Sequence, residues 1–268
     1  MHDIKSSVYL AAIRTYLRNI RSRKFEPEIL FLKNILSPGE NCLHIGASDA
    51  RHSYVMSGLI GSGHIYAFEP SSYSYHHLKL MIKLHRLKNI STYKYAVSDS
   101  EGTVTLITPE KSTGHVGRSF AYITQDKSDC ASRKDIKSHK TKKEEVKSVS
   151  IDQFISKHCI SKIDFIRCDT EGSEMLILNG GQETINKFKP NLLVEIHSHS
   201  LKDIFNCSAK EVAKFLFDLG YVMFREDFGK ITKVKSVNEK ENWKDYFFIH
   251  PKRTKNLPKG PFRTLMSG

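Results

Sequence analysis

Apolar positions near the start of the chain recur every three to four residues: Val8, Tyr9, Ala12, Ile13, Tyr16, Leu17 and Ile20, with Arg14, Arg18 and Arg21 between or after them. That spacing predicts a basic amphipathic helix. Such a stripe suits a membrane surface or the edge of a domain, and we read it as packed on the domain. A second helix is predicted over Pro27 to Leu36. From Asn41 the pattern changes to short apolar runs, NCLHIG, HIYAFE and STYKYA, with a helix near Tyr73–Arg86 between the second and third. Strands that alternate with helices predict a parallel sheet.

A hairpin is expected through Val104–Ile107, followed by a polar stretch from Glu110 to Lys147 without clear periodicity. Within it, residues 127–147 carry eight Lys/Arg against four acids. Connections this long are functional or mobile. The alternation then resumes: Ser150 and Gln153 stand in capping-box register. Next come the strand IDFIRCD, a helix from Glu174 to Gly180–Gly181, the strand NLLVEIH, a helix over Ala209–Leu219, and two closing strands, YVMF and DYFFIH. The expected organisation is an N-terminal helical extension (1–38), a main domain (39–250) with a basic insertion at about 110–147, and a loosely held basic tail (251–268).

At 268 residues, with 39% hydrophobic and 26% charged residues, the composition excludes collagen-like, mucin-like and wholly disordered chains. The net charge of +13 predicts a surface that attracts phosphates, acidic glycans or anionic lipid. Five cysteines, at 42, 130, 159, 168 and 207, form no C-x-x-C pair and read as reduced thiols. No apolar run approaches the roughly 18–20 residues of a membrane span, and no secretory signal is evident, so the expected location is cytoplasmic.

The chemistry begins at Ile45-Gly46-Ala47-Ser48-Asp49-Ala50, which follows a strand and precedes a helix, with a second strand ending Phe68-Glu69-Pro70. Small residues let the backbone approach a ligand, and Glu69, 23 residues past Gly46, can accept two ribose hydroxyls. The G-x-G-x-x-G pattern of a dinucleotide site is missing, since Ser48 and Arg51 stand at its later positions. A nucleoside cofactor without a phosphate, such as S-adenosylmethionine, fits better. Any tight strand-to-helix turn could use the same glycine.

Read in order, HIGASDA, YAFEP, AVSDSEG, IDFIRCDTEGSEMLILNGG and KPNLLVEIH resemble the FkbM-type family of S-adenosylmethionine-dependent methyltransferases over about residues 40–200. The resemblance implies a Rossmann-like, seven-stranded sheet, mostly parallel with an antiparallel last strand and helices on both faces. It also implies O-methylation of a saccharide, glycoconjugate or natural-product hydroxyl. It places Gly46, Ala47, Ser48, Glu69 and Pro70 at the cofactor, with Ser98 and Asp99 near its adenine. Asp169 and Glu171 would face the sulfonium and acceptor, with Glu195 and His197 opposite. This chain departs from the family at His44, where an Asp usually precedes the turn, and at Ala50, where a second Gly is usual.

A hydroxyl acceptor needs relief of its proton, and His197, Asp169 and Glu171 are the candidate catalytic groups. An imidazole near its ordinary pKa of ~6.5 would be the best-matched base. Asp169, Glu195 and His197 would also make an oxygen/nitrogen set for a divalent metal, a reading we rank below the metal-free one. In the segment 113–120, His115 and Arg118 are expected to touch substrate, as is Glu195. The basic loop and tail offer a surface for an anionic acceptor or a nucleic acid, so a 2′-hydroxyl RNA methyltransferase and a non-catalytic binding module are the competing functions.

Overall fold

The computed structural model describes residues 2–22, 25–109, 121–124 and 141–267. Its main sheet is built from β1 (Cys42–Ile45), β2 (Ile65–Phe68), β3 (Ile90–Tyr93), β8 (Phe165–Cys168), β9 (Asn191–Ile196), β10 (Val222–Asp227), β11 (Lys230–Val234) and β12 (Lys244–Ile249). The order across it is β11-β10-β12-β9-β8-β1-β2-β3. From β9 to β3 all neighbours are parallel, whereas β12 runs antiparallel between β9 and β10. The expected antiparallel last strand is present, but the sheet has eight strands and is mixed. The difference is β11, which returns from β10 through a two-residue turn and pairs antiparallel with it.

A second sheet corrects the reading of the polar stretch. It comprises β4 (Ala96–Val97), β5 (Gly102–Pro109), β6 (Tyr122–Thr124) and β7 (Thr141–Val149), in the order β4-β7-β5-β6. β7 pairs with β5 along its length, although its sequence TKKEEVKSV reads as loop. Only its Val146, Ser148 and Val149 are buried, so one solvated face hides the period-2 signal. Glu144 on β7 accepts the Ser72 N–H at 3.3 Å and pairs with Lys94 at 3.1 Å, tying this sheet to helix α3 (Ser72–His85). Residues 127–140 of the basic stretch lie outside the described residues.

Each face of the main sheet carries its own core. Alternate strand residues such as Leu43, Ile166, Val194 and Phe248 meet α4 (Ile151–Lys157), α5 (Glu174–Asn179), α6 (Gln182–Phe188), α7 (Ser198–Phe205) and α8 (Ala209–Asp218). Their neighbours Cys42, Phe165, Leu193 and Phe247 meet α2 (Arg51–Ile60), α3 and both chain ends. The N-terminal helix α1 (His2–Ser22) buries Val8 and Ala12, while Ile29 and Leu32 of the 3-10 helix Pro27–Asn34, and Ile35 and Leu36 just after it, are as buried as any strand residue. The basic tail is likewise not loose. Arg253 reaches Glu40 at 3.1 Å and Asp164 at 2.7 Å, and Phe262 of α9 (Pro261–Ser267) is fully buried. The four described cysteines, Cys42, Cys159, Cys168 and Cys207, are free thiols.

Candidate active site

A cavity of about 550 Å³ opens over the carboxyl ends of β1, β2, β8 and β9. Its first wall is the turn after β1. Gly46 has φ +81°, and a Cβ there would lie 1.8 Å from the Asp169 carbonyl oxygen, so only glycine lets the β1 and β8 tips come this close. Ser48 and Ala50 also have positive φ, at +38° and +63°. The second Gly usual in the family would sit in that left-handed position without strain, which is the physical sense of the Ala50 departure.

Glu69, at the tip of β2, is 6% exposed and faces this turn. Its Oε2 accepts the Ser48 N–H and its Oε1 the Ser71 N–H, both at 3.0 Å. Burial outweighs these two bonds and raises its pKa to about 7. Gly46, Ala47, Ser48, Glu69, Pro70 and Asp169 all line the cavity. Ser98 and Asp99 do not: Ser98 is buried, with its carbonyl against Gly180, and its hydroxyl donates to Asp99 at 3.2 Å. Tyr95, Ala96 and Val97 line that side instead, with Leu106 and Ile123 of the second sheet and Ala121 just before β6.

Strand alternation builds the opposite wall. On one face, His44 pairs in register with Arg167, and Glu195 with Asp245, while Asp169 follows Arg167 by two residues. Four adjacent strands therefore place polar residues at the same end of the same face. The Arg167 side chain is 1% exposed, and its guanidinium donates to Asp245 at 2.7 Å, Asp169 at 3.1 Å and Glu195 at 3.2 Å. Burial alone would depress Arg167, but these carboxylates hold it firmly protonated. Glu28, from the N-terminal 3-10 helix, lines the cavity beside them, its carboxyl raised by burial.

Burial also raises Asp169, and the neighbouring Glu195 adds to the effect against Arg167, giving a pKa of about 7. Asp245 is raised by burial to about 6. His44 and His52 are pushed well below the ordinary imidazole value by burial and stay neutral, with His44 Nδ1 2.6 Å from Ser53 Oγ. His197 behaves in the opposite way. Burial would lower it, but Glu195, 3.5 Å from Nε2, and Glu171, 3.3 Å from Nδ1, raise it to about 10. It is an imidazolium at neutral pH rather than the free imidazole that the sequence suggested. Glu174 is fully buried, accepts the Gly172 N–H at 3.1 Å, and is raised by burial to about 7.

Asp169, Glu171, Glu195 and His197 are thus brought together, as expected from their motifs, while His115 and Arg118 lie outside the described residues. Asp169, Glu195 and His197 present ligand atoms within 4.8 Å of one another. Two of these carboxylates already share the Arg167 guanidinium, which takes the cationic place. Arg167, Asp245 and Glu28 escaped sequence reasoning. One signal was available: Arg167 is the single basic residue inside the apolar strand IDFIRCD.

A glycine turn and an acid-tipped second strand over the carboxyl ends of a mixed α/β sheet have the layout of the S-adenosylmethionine-dependent methyltransferase class, and the family model agrees with it. The chain belongs to the FkbM methyltransferase family, whose domain model matches residues 44–223. Among solved structures it is similar to a methyltransferase FkbM from Methylobacillus flagellatus KT, at 15% identity and TM-score 0.48, over 83% of this chain and 50% of that one. The chain therefore spans about half the length of that protein. It is also similar to an S-adenosylmethionine-dependent methyltransferase from Aquifex aeolicus (14% identity, TM-score 0.44, 84% and 90% covered). A third similar structure is Aeropyrum pernix fibrillarin with bound S-adenosyl-L-methionine (14%, 0.43, 83% and 73%). Comparison with curated proteins finds no match. No helix among the described residues is long and apolar enough to cross a membrane.

Proposed function

We propose that the protein methylates a hydroxyl of a neutral, polyhydroxylated acceptor of the saccharide or glycoconjugate class. The observation that carries this reading is the acid-rich inner wall, where Glu28, Asp169, Glu195 and Asp245 surround one arginine. Carboxylates are natural acceptors for sugar hydroxyls, and their excess negative charge opposes a phosphate at the same place. The cavity lining carries nine acids against three Lys/Arg, so the +13 of the whole chain does not argue for an RNA acceptor inside it.

The cavity fits S-adenosylmethionine on two counts: the Gly46 turn, which a Cβ would fill, and the buried carboxylate of Glu69. Gly46, Ala47, Ser48, Glu69, Pro70 and Asp169 would hold it. When bound, it supplies an electrophilic methyl group on a sulfonium. Glu69 would accept hydrogen bonds from the ribose hydroxyls with lone pairs that its two backbone donors leave open. Arg167 holds Asp169 through Oδ2 and so fixes the carboxyl that would take the acceptor proton. A carboxyl with a pKa of about 7 suits that task near neutral pH. His197, as an imidazolium, holds Glu171 and Glu195 in place around the acceptor. We therefore assign the base to Asp169 and orientation to His197.

The test is calorimetry with S-adenosylhomocysteine, followed by methyl-label transfer to panels of glycans and RNAs. Label on a neutral glycan supports the reading, and label on RNA alone overturns the acceptor class.

A further inference from the structure

At the outer end of the sheet, β10 and β11 are joined by only two residues, Phe228 and Gly229, with φ of +50° and +79°. This is a type I′ hairpin geometry, in which both positions favour Asn, Asp or Gly. A bulky residue in the left-handed region is an outlier. Nothing in the fold compensates it, because Phe228 is 103% exposed. The strained residue therefore presents its whole ring to the outside.

Its position is next to the cavity. Lys244 pairs with Asp227 at 3.4 Å across the antiparallel β10–β12 pair, so Phe228 and Trp243 are the next residues outward on adjoining strands. Trp243 lines the cavity and is still 55% exposed. Arg225 braces this edge by pairing with Asp227 and, at 3.3 Å, with Glu241. Lys230 and Lys233 on β11 and Lys240 in the loop before Trp243 are exposed, and among the described residues no carboxylate forms an ion pair with them. The local acids are already engaged: Asp227 and Glu241 with Arg225, and Glu239 with Lys210 at 2.8 Å.

We infer that Phe228 and Trp243 form a membrane-docking edge that seats on an anionic lipid surface and brings the cavity mouth to it. Exposed aromatic rings enter the headgroup boundary, and the lysines beside them add attraction to anionic lipid. The same free lysines would repel a second copy of this edge. A soluble ligand would leave the fully projecting Phe228 without a wall to close on. The inference does not depend on the identity of the acceptor.

Trp243 is the sole tryptophan of the chain, so its emission reports this edge directly. Vesicles of phosphatidylcholine with phosphatidylglycerol should shift the emission to the blue and co-sediment the protein, while pure phosphatidylcholine and high salt should weaken both. Phe228→Asn should weaken vesicle partitioning by about tenfold. Because Asn tolerates the left-handed turn better than Phe, this variant should melt at or above the wild-type temperature, so weaker vesicle binding in it reports a docking role and not a loss of fold. No binding to anionic vesicles, or binding unchanged in Phe228→Asn, would overturn the inference. A blue shift given by soluble oligosaccharides but not by vesicles would also overturn it, assigning the rings to the acceptor.

Discussion

Arg167 on β8 and Asp169 just past its end stand two residues apart, with the guanidinium 3.1 Å from the carboxylate. The buried base candidate and the cation that restrains it are thus delivered by one short segment of chain. That cation also bonds Glu195 and Asp245, so one guanidinium serves three clustered carboxylates.

Removing it should be costly. Arg167→Met is expected to destabilise the fold by about 3–5 kcal/mol at neutral pH, because it leaves buried carboxylates unpaired. Without the arginine their folded pKa values rise further. Acids raised in this way stabilise at low pH and lose that contribution as pH rises, so the deficit should shrink near pH ~5. Thermal unfolding at two pH values checks this, and an equal deficit at both would contradict the ion-cluster reading.

His197 should titrate at about 10 in the empty protein, observable by NMR of its ring protons. Its folded pKa is above the ordinary 6.5, so its contribution to stability is complete below pH 6.5 and is lost as pH rises through about 10. Glu171→Gln should lower that pKa. For turnover, Asp169→Asn should cost about 10²–10⁴-fold, as expected for a lost general base, and His197→Ala distinctly less. The reverse order would return the base to the imidazole.

Glu69→Gln is expected to weaken S-adenosylhomocysteine binding by at least tenfold, since charge-assisted hydrogen bonds contribute about 1.5–3 kcal/mol each. In the empty protein the raised pKa of Glu69, about 7 against 4.5, favours the fold at low pH and loses that advantage as pH rises through 7. The melting temperature of the variant relative to wild type should therefore be higher at pH ~8 than at pH ~5.

Ala50→Gly should stabilise the protein by about 1 kcal/mol, because Ala50 sits at φ +63°, where a Cβ is strained. Gly46→Ala should do the opposite and abolish cofactor binding, as its Cβ would be 1.8 Å from the Asp169 carbonyl oxygen. Both are read by calorimetry on the purified variants.

Local pattern carried much of this molecule. The spacing of Leu43 and Ile45, and of Leu192, Val194 and Ile196, makes strands on any reading, and the Gly46–Glu69 separation is that of two successive strand tips. The seven strands implied by the resemblance lacked β11, because Lys230–Val234 is a solvated edge with Ile231 as its single buried residue. β7 was illegible for the same reason. The burial of Arg253 and Phe262 was hidden too, since a run of basic residues looks solvated until Glu40 and Asp164 are brought beside it.

The site divides along the same line. Asp169, Glu171, Glu195 and His197 announce themselves through short motifs at strand ends, so the sequence by itself determined which groups would meet. Their protonation states were decided by tertiary structure alone. Asp245 is 78 residues from Arg167, and Glu28 comes from a segment that read as an appendage. A pKa depends on burial and on charges within a few ångströms, and neither quantity exists in a chain until distant strands are laid side by side.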